Sequence, residues 1–211
     1  MPLFRHGLAE APAWCELRSF AVVELPVGAR HDFPRTAPRE RLLVVAGACR
    51  VAHGAEERDA TEGTKCELSA LDDHFAVLAV REPTTLVHLC GRWGDETGGW
   101  GLFRVREVAE PVKRGDPVDY PTRTDIDNHY HDCDEFYLIL AGRGTVVSEG
   151  RHYPVGPGDC VATGMGHHHD FPYAPEPVTA VFFETTLAGQ RRRGHLWEHT
   201  HGRAQPQAGR G

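Results

Sequence analysis

The chain has 211 residues, 40% of them hydrophobic, and its 23 glycines and 15 prolines are typical of a globular, turn-rich β protein. The formal net charge of −7 gives nucleic-acid binding no electrostatic support, and no apolar run approaches the roughly 20 residues of a membrane span. The N-terminus lacks the basic-then-apolar order of a signal peptide, and the six cysteines form no CxxC pair. We therefore expect a cytoplasmic protein with reduced thiols and with no nucleic-acid or membrane partner.

The N-terminal half contains two clear strand signals. Residues 20–25 and 41–47 are apolar, β-branched runs, and the second is closed by a glycine. The charged segment 54–65 is predicted to be a loop. Residues 91–101 contain five glycines, which mark a domain boundary. The predicted domains are 1–95, 96–188 and a tail, 189–211, which we expect to be disordered from about residue 202 onward.

Residues 129–140 carry the strongest chemical signal. Side chains two residues apart in a strand point to the same face, so His129 and His131 aim their imidazoles together. The turn-prone segment 132–134 separates them from Glu135, which opens a strand rich in aromatic and branched residues. A short turn places the Glu135 carboxylate beside both imidazoles. A fourth ligand must come from farther along the chain, and the dense cluster of candidates is His167, His168 and His169.

Three imidazoles and one carboxylate form a ligand set for a transition metal. This set suits Fe, Mn, Ni, Cu or Zn, and it contains too much nitrogen for Mg or Ca. It also leaves coordination positions open, as catalytic metal sites do. We expect one divalent transition metal per chain, with iron first and Mn, Zn, Ni or Cu as alternatives.

These residues resemble the two sequence motifs of the cupin family. The first, G-x5-H-x-H-x3-E-x6-G, is filled by His129, His131, Glu135 and Gly142, with Arg123 in place of the opening glycine. The second, G-x5-P-x-G-x2-H-x3-N, is filled by Gly158, Gly166 and His169, with Gly164 in place of proline and Tyr173 in place of asparagine. The resemblance implies a small antiparallel barrel, the double-stranded β-helix or jelly roll, with the metal inside. It also implies that His169 is the fourth ligand.

An internal repeat accompanies the motifs. The residues Glu40, Gly47, Gly63 and His74 each lie 95 positions before a motif residue of the second half. We therefore predict an all-β chain of two tandem cupin barrels. The first copy has Pro34 and Thr36 where the second has His129 and His131. Because Glu40 and His74 alone would remain as ligands, the first barrel is predicted to hold no metal.

Strand alternation also ranks residues for catalysis. Glu135, Tyr137 and Ile139 share one parity and should face the barrel interior. Tyr137 either binds or protonates a substrate there, or it is a packing tyrosine. His167 is either a base beside the ligands or a solvent-facing imidazole. The predicted catalytic residues are Glu135, Tyr137 and His167. The opposite strand face is apolar too, so the other barrel, a second sheet layer or another subunit in a homodimer must cover it.

Three functions agree with this sequence. The first is an oxidoreductase, similar to cupin dioxygenases, that uses Fe or Mn on a small polar or aromatic molecule. The second is a metal-dependent isomerase, epimerase or lyase that moves a proton on a hydroxy-carbonyl substrate. The third is a non-catalytic cupin that senses a ligand. One fold hosts many reactions, so the sequence indicates the ligands better than it indicates the substrate.

Overall fold

The computed structural model describes residues 3–5, 11–68, 74–112 and 114–210, with backbone alone for 3–5. Across these ranges the chain is almost entirely β, as predicted. The strands are β1 (Leu3–Arg5), β2 (Leu17–Leu25), β3 (His31–Pro34), β4 (Arg39–His53), β5 (Glu56–Thr61), β6 (Lys65–Glu67), β7 (His74–Gly91), β8 (Trp100–Val105), β9 (Glu135–Ser148), β10 (Arg151–Val155), β11 (Asp159–Thr163) and β12 (His169–Glu184). One short helix, α1, spans Glu198–His201. Within the described ranges, no helix has the length and hydropathy needed to cross a membrane.

The strands form two six-stranded antiparallel sheets, one in each of two compact units. The N-terminal unit, Glu16–Trp93, contains the strand order β2-β7-β4-β5, with β3 on β7 and β6 on β4. The C-terminal unit, Met1–Cys15 with Gly94–Gly211, contains β1-β11-β9-β12-β8, with β10 on β9. Because β1 pairs with β11, the start of the chain belongs to the C-terminal unit. The domain limits 1–95, 96–188 and 189–211 stay predictions.

The long central strands of the two sheets match in register and in their bends. Glu40 pairs with Cys90 between β4 and β7, and Glu135 pairs with Glu184 between β9 and β12. Gly47 and Gly142 both have a positive φ, 84° and 79°. A Cβ atom at either glycine would collide with a proline carbonyl, that of Pro83 or Pro177. Glycine is therefore required where β4 and β9 bend toward their neighbours.

Each unit has its own apolar core. The N-terminal core is formed by Leu25, Phe33, Leu42, Val44, Cys49, Val51, Ala60, Cys66, Leu68, Phe75, Val77, Val80 and Leu86. The C-terminal core is formed by Val105, Tyr137, Ile139, Val146, Val155, Val161, Phe171, Ala174, Val178 and Ala180. Tyr137 and Ile139 both belong to this core, which confirms the prediction that these alternate residues of β9 face inward.

The loop predicted for residues 54–65 is wrong in its central part. Residues Glu56–Thr61 form β5, which pairs with β4 through a tight turn at Gly54, where φ is 58°. The charged side chains of β5 face solvent and Ala60 faces the core. A hairpin strand with one buried side chain lacks the apolar alternation that marks a strand in the sequence.

Candidate metal centre

The four predicted ligands converge at one end of the C-terminal sheet. His129 forms an isolated antiparallel bridge with His169, through backbone hydrogen bonds of 3.1 and 2.8 Å. His131 follows two residues later, and Glu135 is the first residue of β9. The atoms that these residues offer all lie within 4.8 Å of one another, and all four side chains are buried. We call His129, His131, Glu135 and His169 the ligand group.

The hydrogen bonds of two imidazoles orient their other nitrogen into the group. His129 Nδ1 lies 2.7 Å from the Asp127 carbonyl oxygen, and His169 Nδ1 lies 3.1 Å from that of His167. A carbonyl only accepts, so each Nδ1 carries the proton and donates it. In both residues Nε2 is then the ring nitrogen that faces the ligand group, as in histidines that bind a metal through Nε2.

Unsatisfied nitrogen atoms within the group provide a test of whether a metal fits. His129 Nε2 and His131 Nε2 are buried and have no hydrogen-bond partner. His169 Nε2 and His131 Nε2 lie 2.6 and 3.3 Å from one oxygen of Glu135. Buried polar atoms in proteins nearly always have partners, so the two orphaned nitrogens require an explanation. A divalent cation bound between them and the carboxylate satisfies both.

The electrostatics of the group also favour a cation. Burial, reinforced by the neighbouring imidazoles, holds the pKa of His129 well below its usual value. Burial alone would raise the pKa of Glu135, but the charges and hydrogen bonds of His131 and His169 outweigh it and hold that pKa well below normal. For His131, burial is likewise outweighed by Glu135, and the pKa is raised. Glu135 is thus ionised and His129 neutral, as metal ligation requires.

Tyr137 lies beside the ligand group, as its predicted role requires. Its ring centroid is 6.0 Å from that of His169 and 5.1 Å from that of Phe103. Burial, followed by the negative charge of Glu135, raises the pKa of the Tyr137 hydroxyl well above its usual value. The hydroxyl is therefore a proton donor and not a phenolate at neutral pH.

The other two histidines of the 167–169 run lie outside the ligand group. His167 Nε2 is 3.4 Å from the Gln207 carbonyl oxygen, and its Nδ1 is 3.9 Å from Glu149. His168 Nε2 lies 3.0 Å from Asp116. The backbone of His167 contributes more directly, because its carbonyl orients His169. A catalytic role for the His167 side chain stays a prediction.

The structure adds a fifth imidazole, which sequence reasoning missed. The His195 ring stacks on His129 with centroids 3.6 Å apart and planes 7° apart. Its Nδ1 lies 3.2 Å from Asp127 Oδ1, and Asp127 Oδ2 accepts a 2.6 Å hydrogen bond from Trp197 Nε1. The buried Leu196 between them pairs its backbone with Tyr130. The apolar pair 196–197 within a polar tail was the sequence signal for this contact.

The tail after His195 also packs on the C-terminal unit. The Arg210 guanidinium lies 2.9 and 3.0 Å from the two oxygens of buried Asp134, in the turn between His131 and Glu135. Tyr130 donates a 2.7 Å hydrogen bond to the Gly202 carbonyl. The expected disorder of the tail is a statement about motion and stays a prediction.

A polar cavity of about 480 Å³ reaches the ligand group. His131 is part of its wall, together with Tyr130, Met165, Gln190, Arg203 and Gln205. Arg203 and both glutamines are exposed. The cavity therefore borders His131 and has a wall that offers hydrogen-bond donors and a positive charge.

The N-terminal unit contains a different cluster at the corresponding place. Glu40, His88 and Cys90 are buried and offer atoms within 4.8 Å of one another, and we call them the Glu40 group. His74, the ligand suggested by the repeat, is exposed and is not a member. Glu40 Oε1 accepts hydrogen bonds from the Ala37 amide at 2.8 Å and the Thr36 hydroxyl at 3.1 Å. Glu40 Oε2 lies 2.8 Å from His88 Nε2, so both oxygens are satisfied by the protein.

Comparison with known proteins shows the family. Residues 118–185, which carry the ligand group, match the cupin domain family. Over 97% of its length the chain is 43% identical to the uncharacterized protein y4oW of Sinorhizobium fredii, covering 94% of that protein. Residues 118–185 therefore belong to the cupin superfamily, and the whole chain belongs to the same family as y4oW. The predicted family is confirmed by this match, while a bicupin arrangement is not established by the single cupin domain found.

Solved structures share the fold at low sequence identity. AerE from Microcystis aeruginosa is 10% identical, with a TM-score of 0.54 over 79% of this chain and 86% of that one. A conserved protein of unknown function from Pseudomonas aeruginosa PAO1 is 13% identical, with a TM-score of 0.56 over 85% and 87%. An oxalate decarboxylase variant from Bacillus subtilis is 13% identical, with a TM-score of 0.53 over 80% and 70%. These similarities concern the fold.

Proposed function

We propose that this protein is a metal-dependent enzyme that acts on a small polar molecule. The observation that carries the proposal is the convergence of four buried side chains whose ligand atoms lie within 4.8 Å of one another, with His129 Nε2 and His131 Nε2 lacking a partner in hydrogen-bond geometry. Ordinary packing does not leave two such atoms unsatisfied in one cluster. Structural zinc sites are four-coordinate and closed, often with cysteine, whereas this ligand set contains no cysteine and has an adjoining cavity.

The metal we propose is iron, with Mn, Zn, Ni and Cu as the alternatives that the donor set accepts. Mn(II) centres are known in the oxalate decarboxylase of Bacillus subtilis, which shares the fold, and manganese is therefore the second candidate. When bound, the metal would polarise substrate oxygens and, as iron, would support chemistry with O₂. His129, His131, Glu135 and His169 would hold it.

The polar cavity supports a small polar substrate. The Arg203 guanidinium and the amides of Gln190 and Gln205 line it at the solvent side, and His131 lines it at the ligand group. An arginine matches a carboxylate in geometry and charge, so a substrate with a carboxylate would enter with that group toward Arg203. Its reacting end would then lie toward the ligand group and the Tyr137 hydroxyl.

For the reaction we propose an oxygenase first, because three histidines and one glutamate leave coordination positions open. One observation favours the second class, an isomerase, epimerase or lyase. The Asp127 carboxylate accepts the Nδ1 proton of His195, which leaves Nε2 of that imidazole as a base next to His129. Tyr137, which keeps its proton, would supply the matching acid. Such a pair moves a proton between two carbons or oxygens of a bound substrate.

We also propose that the two units are tandem cupin domains and that the N-terminal one holds no metal. The matching strand order, the paired registers of Glu40 and Glu135, and the matching bends at Gly47 and Gly142 support the tandem arrangement. The self-satisfied hydrogen bonds of Glu40 support the absence of a metal.

Reconstitution with single metals tests the function. Metal-free protein is loaded separately with Fe(II), Mn(II), Zn(II), Ni(II) or Cu(II) and screened on small carboxylates, hydroxy acids and sugars. Oxygen uptake and incorporation of solvent deuterium into the substrate are both measured. Oxygen uptake with Fe or Mn is the expected result, and deuterium exchange without oxygen uptake would select the second class. Failure of every metal to give either signal would contradict the enzyme proposal.

A further inference from the structure

A second cavity lies between Val112 with the segment 114–128 and the first residues of β12. It has a volume of about 230 Å³, and its apolar wall includes Val112, Val118 and Ile126. Asp170 of β12 forms part of the opposite wall. Among the described residues, the ligand group contributes nothing to this lining. We call it the Asp170 cavity.

Strand alternation separates the Asp170 cavity from the metal centre. His169 and Asp170 are consecutive residues of β12, so their side chains leave opposite faces of the sheet. The His169 face belongs to the ligand group, and the Asp170 face is covered by the segment 114–128. The two sites therefore have separate environments although they share a strand.

Asp170 is a buried carboxylate without a hydrogen bond. The residue is 0% exposed, and neither Oδ1 nor Oδ2 has a hydrogen-bond partner. Burial raises the pKa of the Asp170 carboxyl to about 7, and the nearby Tyr120 hydroxyl opposes this shift although its position does not meet hydrogen-bond geometry. A buried carboxylate with no donor is rare and unfavourable in a folded protein.

A second unsatisfied group faces the same space. Thr122 lines the cavity, and its Oγ1 atom is also buried and without a partner. The hydroxyl can both donate and accept one hydrogen bond. Two polar groups without hydrogen-bond partners therefore line one cavity, where a single ligand could contact both.

The other carboxylates along this cavity are already engaged. Asp116 holds His168 at 3.0 Å and His199 at 2.8 Å through its two oxygens. Asp127 accepts from His195 and from the Trp197 indole, as described above. Asp170 is thus the acidic group that remains free to bind a donor from outside.

We propose that the Asp170 cavity binds a small primary ammonium compound with a short branched or apolar body. The ammonium group would donate to the two Asp170 oxygens and to Thr122 Oγ1, and its body would pack on Val118 and Ile126. A charged donor makes the strongest hydrogen bonds to a carboxylate and neutralises it at the same time. The volume of about 230 Å³ exceeds the roughly 30 Å³ share of a single water, so one water does not fill the cavity.

The proposed binding site is tested separately from the enzyme function, because none of the four ligand-group residues lines the cavity. It is tested by titrating the purified full chain with isobutylammonium chloride, followed by calorimetry and ligand-detected NMR, in about 0.15 M salt to screen the net negative charge. Isobutanol, which has the same shape and no charge, is the matched neutral probe.

Three variants accompany the titration. Asp170→Asn removes the charge with almost no change of shape, and Asp119→Asn removes an exposed charge from the same segment. Val118→Phe fills the cavity without touching the carboxylate. Metal content and circular dichroism check that each variant is folded, and if Asp170→Asn fails that check, Val118→Phe decides.

The proposal predicts saturable binding of one isobutylammonium per chain and binding of isobutanol at least about tenfold weaker, as expected for the loss of a charged hydrogen bond. Asp170→Asn should weaken isobutylammonium binding by a similar factor, Val118→Phe should abolish it, and Asp119→Asn should leave it unchanged. Non-saturable uptake by the unmodified chain would overturn the proposal. Unchanged binding in Asp170→Asn or in Val118→Phe would overturn it as well.

Discussion

Glu40 and Glu135 lie at the start of the central strands β4 and β9, which pair with β7 and β12 in the same way, but the partners of the two carboxylates differ in kind. Around Glu40, backbone amides, a threonine hydroxyl and His88 satisfy both carboxylate oxygens. Around Glu135, His129 and His131 present nitrogens that have no hydrogen-bond partner. The same scaffold therefore holds a closed hydrogen-bond network in one unit and an open ligand set in the other.

The difference starts from two sequence positions. In the C-terminal unit His129 and His131 supply imidazoles, and the repeat has Pro34 and Thr36 at the equivalent places. Thr36 donates its amide and its hydroxyl to Glu40. At the place of His131 the repeat thus has a residue that completes the hydrogen bonding of the Glu40 carboxylate.

The largest expected effect follows from removing one imidazole of the ligand group. His131→Ala should lower metal affinity by at least about 100-fold and abolish turnover, because the site loses one of four donors and Glu135 loses its main positive neighbour. The metal content after dialysis against a weak chelator measures the affinity. The matched change in the other unit is His88→Ala, for which metal content and turnover should both be retained. Equal loss of metal in His131→Ala and His88→Ala would contradict the proposed difference between the two units.

Substitution of the glycines at the matching strand bends should destabilise both units equally, although only the C-terminal unit is expected to bind a metal. Gly47→Ala and Gly142→Ala should each lower the free energy of unfolding by about 3 kcal/mol, since a left-handed backbone is combined with a backbone collision. Gly63→Ala and Gly158→Ala are the controls. Both have positive φ but open space around the added Cβ, so about 1 kcal/mol is expected. Urea titration gives the four values, and a penalty for Gly142→Ala no larger than that for Gly158→Ala would refute the required close approach.

His195 is an additional imidazole that packs against the ligand group of the C-terminal unit. His195→Ala should leave metal content unchanged and reduce kcat about 10- to 100-fold, because the imidazole touches His129 without being one of the four ligands. His199→Ala removes an exposed imidazole from the same tail and is the matched control. Steady-state kinetics with the reconstituted enzyme measures the effect. If His195→Ala and His199→Ala have equal activity, His195 has no role in catalysis.

The smallest effect concerns the pH dependence of the N-terminal unit. Burial lowers the pKa of His88 below its usual 6.5, and the Glu40 hydrogen bond offsets only part of the shift. Below pH 6.5 the unfolded chain therefore binds more protons than the folded one, and stability falls as the pH falls. Thermal unfolding between pH 7.5 and about 5 should show this slope, reduced in His88→Gln. An unchanged slope in His88→Gln would assign the titration to other groups.

His129, His131 and Glu135 were predictable from the sequence because their spacing is local, whereas His169 was selected from three neighbouring histidines by the resemblance to cupins. Alternation puts His129 and His131 on one face, and a turn of three residues returns Glu135 to them. The members of the Glu40 group were not predictable, because His88 meets Glu40 through the register of β4 on β7, across 48 residues. The exact offset of 95 pointed to His74 instead, which is exposed.

The tail and β5 show why other parts of the fold could not be predicted from the sequence. His195 reaches the ligand group because Leu196 pairs with Tyr130. The apolar pair 196–197 is the one sequence signal for this contact, and it is weak within a polar, glycine-rich tail. β5 forms by pairing with β4, and its exposed charged side chains hide it from any search for apolar alternation. For the tail a partner distant in sequence determines the conformation, and for β5 pairing with the adjacent strand does so in spite of a weak local pattern.

Metal stoichiometry tests the contrast between the two units most directly. Glu40→Gln and Glu135→Gln are the same isosteric change at matching positions, and both variants and the unmodified chain are loaded with Fe(II) or Mn(II), desalted and analysed for metal per chain. The account predicts one metal per chain in the unmodified protein, one in Glu40→Gln and close to none in Glu135→Gln. Two metals per chain in the unmodified protein, or loss of the metal in Glu40→Gln, would contradict it.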